Sequence, residues 1–154
     1  MRNVITLWVA GAGLSLAVLA QETVHPPGIL RAASQINLEL ERSTPELGIV
    51  AGQSTAVIET GAGRIVVRRR QAGPNNASVH EDLTEIYHII DGAGTLVTGG
   101  TMTDPANRSA GLTGGAAQRV EAGDWVILPP GTAHWFSAID GSITYAETRF
   151  VVTQ

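Results

Sequence analysis

From Gly48 onward the chain is cut at short intervals by Gly, Asn, Asp and Pro, and the segments between are rich in Val, Ile, Thr and aromatic residues. Segments of that length and makeup are strands, and strands spaced so closely pack as an all-β sandwich or barrel. The expected strands are 53–59, 64–71, 85–90, 95–98, 118–121, 125–128, 134–138 and 142–152. Asp91-Gly92, followed by Gly94, reads as a tight hairpin, because glycine accepts the positive φ such turns require. Gly123-Asp124 opens one strand, and Pro129-Pro130-Gly131 closes it. Residues 99–117 break this rhythm, being Gly-rich, polar and without periodicity. A connection of that length is either a mobile surface loop or a cover over the barrel mouth.

The first 47 residues have a different texture. Met1-Arg2-Asn3 is a short positive start, and the run from Val4 to Ala20 is apolar apart from Thr6 and Ser15. Val18-Leu19-Ala20 stands just before the polar Gln21, which is the layout of a secretory signal peptide over 1–20. An uncleaved anchor is the other reading; a spanning helix needs about 20 apolar residues, and Gly11 and Gly13 weaken this run. Cleavage places the protein outside the cytoplasm, secreted or periplasmic. Residues 21–47 then form an N-terminal extension, opening with a tether around His25-Pro26-Pro27. Apolar residues at 29, 33, 36 and 40 give one amphipathic helix over 29–42, with Pro45 beyond to stop it. The barrel domain is 48–154.

Charge and missing residue types narrow the chemistry. Of ten basic residues Arg2 falls in the leader, so 21–154 carries nine against 14 acidic ones, a formal charge of −5. That balance argues against nucleic acid, and against an anionic membrane once the signal is removed. Every basic residue is Arg, so no lysine can act as Schiff base or general base. There is no cysteine, which removes disulfides, thiolate metal sites and cysteine nucleophiles. A metal in this chain must be held by His and carboxylate ligands.

Strand alternation selects the candidates. Glu85, Tyr87 and Ile89 share one face, and Ile86, His88 and Ile90 the other. A carboxylate turned into a small barrel is costly unless it is paired or bound to a metal. His80 lies five residues before Glu85, across the polar stretch Glu81-Asp82-Leu83-Thr84, and His134 starts a strand directly after the Pro-Pro-Gly turn. Two imidazoles and one carboxylate form a facial set that holds a divalent metal and leaves positions open. His88 faces the other way and reads as a surface or subunit-contact residue. Tyr87 faces the cavity, as a rim hydroxyl or as a hydrogen-bond donor and acid to a substrate. Arg64, Val66, Arg68 and Arg70 share a face, read mainly as solvated, although Arg68 or Arg70 reaching the mouth would anchor a substrate carboxylate. Arg149 shares a face with Glu147 and reads as an ion-paired structural residue. Trp125, Trp135 and Phe136 read as packing.

Ser78 to Gly94 resembles the first motif of the cupin superfamily, G(X)5HXH(X)3,4E(X)6G, with His80, Glu85 and Gly92 at the required spacing. GDWVILPPGTAH is similar to the second, G(X)5PXG(X)2H(X)3N, and fits at Gly123, Pro129, Gly131 and His134. Two departures matter: the first histidine falls at Ser78 and the closing asparagine at Ala138. The resemblance implies a jelly-roll β-barrel, commonly a homodimer, with one divalent ion (Fe, Mn, Ni or Zn) on His80, Glu85 and His134. Ser78 and Asp82 are then auxiliary candidates. Family members include dioxygenases, isomerases, epimerases, lyases and simple binders. The implied function is a secreted metal-binding cupin acting on a small organic molecule, an oxygenase or isomerase; the alternative is a non-catalytic small-molecule binder, with or without metal.

Overall fold

A computed structural model describes residues 27–42, 53–59, 64–73 and 75–151, the segment 53–59 by its backbone alone. The expected signal peptide, His25 and Pro45 lie outside the described residues. Within them, no helix is long and apolar enough to cross a membrane.

One helix, α1 (Ala33–Arg42), precedes β1 (Gln53–Glu59), β2 (Arg64–Gln71), β3 (Thr84–Thr98), β4 (Thr101–Met102), β5 (Leu112–Thr113), β6 (Ala116–Glu121), β7 (Trp125–Leu128) and β8 (His134–Phe150). The helix starts later than its periodicity suggests. The Ala32 carbonyl accepts its first bonds, and the Gln35 side chain turns back to accept the Ala32 N–H at 3.1 Å. That reciprocal pairing marks a helix start, and it leaves Ile29 and Leu30 outside and exposed. Ile36 and Leu40 pack on Val67, so α1 covers the outer face of β2.

The main sheet runs β1-β2-β8-β3-β6, with β7 also pairing β3, and every pairing is antiparallel. β3 and β8 pair along almost their whole lengths, with register shifts around residues 89–96. β2 and β7 flank one half of this long ribbon and β6 the other. This is the all-β jelly roll.

Two expected turns are absent. Residues 85–90 and 95–98 belong to the single strand β3, and 134–138 and 142–150 to β8. Gly92 does have φ +77°, but it serves a close crossing rather than a hairpin. A Cβ there would stand 2.0 Å from the Ser142 carbonyl oxygen. Only a residue without a side chain lets the two ribbons bend past each other at this point.

Inside the fold, Ile89, Leu96, Val120, Leu128, Phe136, Ile139 and Ile143 form one apolar cluster with Tyr87 and Tyr145. The same inward faces carry Glu85 and Glu147, each 1% exposed. Two carboxylates at that depth require partners.

Candidate metal centre

His134 and His80 are brought together by a short segment that runs beside the start of β8. Ser78 and His134 exchange backbone hydrogen bonds of 3.0 and 2.9 Å. The Pro129-Pro130-Gly131 turn is tied to the same segment, since the Gly131 N–H donates to the His80 carbonyl at 2.9 Å. Gly131 has φ +76°, so the turn that places His134 depends on glycine there. Glu85 enters from β3 on its inward face, opposite Leu128 of β7 and Arg149 of β8.

The result is a compact donor set. His134 Nε2 lies 3.1 Å from Glu85 Oε2, and His80 Nε2 lies 3.6 Å from Glu85 Oε1. One ligating atom from each of the three residues falls within 4.8 Å of the others. Donors about 2 Å from a shared ion stand some 3–4 Å apart, so a small inward adjustment closes the set on a metal. His134 Nδ1 is 3.0 Å from the Thr132 carbonyl, which places its proton there and leaves the Nε2 lone pair toward Glu85. Burial lowers the His134 pKa below the usual imidazole value, with the Glu85 charge opposing more weakly. A neutral ring is what a metal requires. Glu85 Oε1 is buried and accepts no hydrogen bond among the described residues. A buried carboxylate with one imidazole Nε2 facing each of its oxygens is a donor set that fits a divalent cation.

Arg149 is the competing feature. Its Nε lies 2.5 Å from Glu85 Oε1, without hydrogen-bond geometry, and 2.8 Å from Glu147 Oε1. The expected Arg149–Glu147 pairing is present. The contact with Glu85 was not legible, because it depends on β3 lying beside β8. A guanidinium thus neutralises the same carboxylate that the metal would use.

The auxiliary candidates separate. Ser78 stands beside His134, but its Oγ accepts a short hydrogen bond from Arg108 Nη2. Asp82 is exposed on the turn before β3 and is not part of the group, because it lies outside the inward strand face. Tyr87 is 2% exposed and meets His134 edge-on at 5.9 Å. Burial first, then the neighbouring Tyr145 and Glu147, hold its hydroxyl well above the ordinary phenol value. It is a phenol at neutral pH, able to donate and to accept a hydrogen bond.

The arginines of β2 require a correction. Val66, Arg68 and Arg70 face inward rather than toward solvent, since they stand opposite Glu147, Tyr145 and Ile143. Arg68 holds Glu147 through two bonds of 2.8 and 3.1 Å. Arg70 donates to the Tyr145 hydroxyl at 2.8 Å and to Asn75 Oδ1 at 3.2 Å. His88 stacks on Trp125 on the outer face, with ring centroids 4.2 Å apart.

A cavity of about 220 Å³ opens beside His80, walled by Ser78, Tyr87, Arg68, Arg70, Arg108 and Glu147 among others. A larger depression of about 480 Å³ lies against β6 and β7 but holds none of the three metal-type residues. The smaller one is lined by one of them, His80. Arg108 was missed by sequence reasoning, for it lies in the aperiodic stretch 99–117. One part of that stretch reaches the site: a short turn, Arg108–Ala110, follows β4 and pins itself to Ala77.

No protein-family model and no curated protein matches the sequence. Solved structures do. KdgF from Halomonas sp. aligns with a TM-score of 0.53 at 15% identity, over 68% of this chain and 85% of that one. A cupin protein from Bacteroides fragilis aligns at 18% identity with a TM-score of 0.48, over 68% of this chain and 82% of the other. At such identities the likeness speaks for the fold. With the antiparallel ribbon and both motif segments in place, this chain has the cupin jelly-roll fold.

Proposed function

We propose that this protein is a secreted or periplasmic metal-binding cupin acting on a small organic molecule, as a non-haem metal-dependent oxygenase or isomerase. One divalent ion, Fe, Mn, Ni or Zn, would be held by His80, Glu85 and His134. The observation that carries the reading is the buried Glu85 carboxylate with one imidazole Nε2 facing each of its oxygens, His80 of that group also lining a cavity. When bound, such an ion polarises a carbonyl or binds a reactant in its open positions. The residues around it have separate roles. Thr132 fixes the His134 tautomer. Tyr87 offers the cavity a neutral hydroxyl that can hydrogen-bond a bound molecule. Arg108, from the stretch 99–117, forms part of the cavity wall. The N-terminal apolar run supports export, and the exposed apolar surface of β7, where Trp125 and Ile127 are each 66% exposed, supports a homodimer.

Two features favour a second reading, a binder without turnover: serine stands at position 78, where the motif has a histidine, and Arg149 already neutralises Glu85. Elemental analysis of purified protein, before and after reloading, tests the site. Stoichiometric metal in the wild type, lost in Glu85→Ala and His134→Ala, is the expected result. Protein that is metal-free and refuses reloading with any of the four ions sinks the metal reading. Oxygen uptake by Fe(II)-loaded protein, screened against phenolic and keto-acid compounds, then separates oxygenase from binder.

A further inference from the structure

Four guanidinium groups converge on the cavity beside His80, but they are not equivalent. Arg68 is held by Glu147, and Arg149 lies between Glu147 and Glu85. Those two arginines and two glutamates cancel. Arg70 and Arg108 have only neutral partners: the Tyr145 hydroxyl and Asn75 for one, the Ala77 carbonyl and Ser78 hydroxyl for the other. Among the described residues neither meets a carboxylate at ion-pair distance. The cavity therefore carries two surplus positive charges within a chain whose net charge is −4. Positive charge concentrated in a cleft of an acidic protein selects anions.

Both groups are also held in place. Arg70 uses Nε and Nη1 on its neutral partners, leaving Nη2 without one; Arg108 uses Nε and Nη2, leaving Nη1. The backbone of Arg108 is pinned as well, its carbonyl accepting the Ala77 N–H at 2.9 Å. Two fixed forks with free N–H groups suit two carboxylates better than one. A volume of about 220 Å³ equals roughly seven waters at ~30 Å³ each. That space admits an acid of three to five carbons.

We propose that the cavity binds a small aliphatic dicarboxylate through Arg70 and Arg108, and that such an acid is the molecule on which the proposed metal site acts. The second half rests on the metal reading; the binding itself does not. Calorimetric titration at low salt of metal-stripped protein, with succinate, monomethyl succinate and inorganic phosphate as probes, tests it. Succinate binding is expected, weakened roughly tenfold in Arg70→Gln and in Arg108→Gln, as for loss of one charged hydrogen-bonding group. Arg70→Lys, which keeps the charge, recovers part of the loss if charge rather than misfolding is responsible. Arg119→Gln, which removes an exposed ion pair with Asp140 on another surface, leaves binding unchanged. Monomethyl succinate binding as tightly as succinate overturns the dicarboxylate assignment, and so does tighter binding of phosphate. Equal succinate affinity in wild type and both glutamine variants, or no binding at all, overturns the site. Elemental analysis separates the two readings: wild-type protein that binds succinate but takes up no metal keeps the dicarboxylate site and overturns the metal reading alone.

Discussion

Along the inward face of β3 the residues run Glu85, Tyr87, Ile89 and then Leu96; along β8, taken backwards, they run Arg149, Glu147, Tyr145, Ile143 and then Phe136. The same two strands build both regions of the interior. One region is a lattice of charges around the candidate metal centre, and the other is an apolar cluster closed by Phe136, Leu96 and Ile139. The two tyrosines sit between them, their rings packed 4.8 Å apart. The contrast matters because buried ion pairs add little net stability: the cost of desolvation offsets most of their attraction. The apolar region must therefore hold the barrel together, while the charged region is kept for what it binds. Stability and function are assigned to opposite stretches of the same strands.

The sharpest way to break that assignment is Phe136→Ala. Phe136 is 4% exposed, inside the apolar cluster and against Tyr145. Truncating a buried aromatic leaves a cavity and costs about 4 kcal/mol. Denaturant unfolding of metal-stripped protein should show that loss, while metal stoichiometry under native conditions stays at the wild-type value. A variant that keeps its stability but loses metal would show that the two regions are not separable.

A somewhat smaller effect is expected from Arg149→Met. This change removes the cation between Glu85 and Glu147 and leaves Arg68 to Glu147 alone. Breaking a buried pair from one side costs about 3–5 kcal/mol, and the 22% exposure of Arg149 puts this case near the lower figure. Metal-stripped Arg149→Met should therefore unfold more easily than wild type. Divalent metal should stabilise the variant by more than it stabilises wild type, because the ion no longer competes with a guanidinium for Glu85. Equal metal-induced shifts in Tm would show that Arg149 and the ion do not share that carboxylate.

How far this arrangement could be read from residues alone differs by element. Glu85 and Tyr87 were legible as inward-facing because strand alternation is local and needs no partner. The closeness of His80 and His134 was legible through motif spacing. Arg149 was read as ion-paired with Glu147, its neighbour two positions away. Its second partner, Glu85, is 64 residues distant and depends on the β3–β8 register, which no local pattern records. The arginines of β2 were assigned mainly to the outside because charge was weighed above alternation. In fact Val66, Arg68 and Arg70 line the interior, and the acidic residues opposite explain why that is tolerated. Gly92 carried the signature of a turn, although its role is a close crossing. Turn and crossing both demand a residue without a Cβ, so composition alone does not distinguish them. Arg108 had no signal at all, since aperiodic segments carry no face.

The smallest effect expected is that of His88→Ala, set against His80→Ala. Both histidines precede or lie in β3, and only the pleat decides between them. His88 points outward and stacks on Trp125 with an interplanar angle of 15°. Trp125 is itself 66% exposed, so the stack lies open to water. Losing it should cost about 0.5 kcal/mol, the lower end for an aromatic pair. His88→Ala should keep full metal stoichiometry, whereas His80→Ala removes one of three donors and should lose it. Metal loss in His88→Ala with retention in His80→Ala would mean that a bulge before β3 reverses the alternation. It would also take Glu85 off the inward face, and the candidate centre with it.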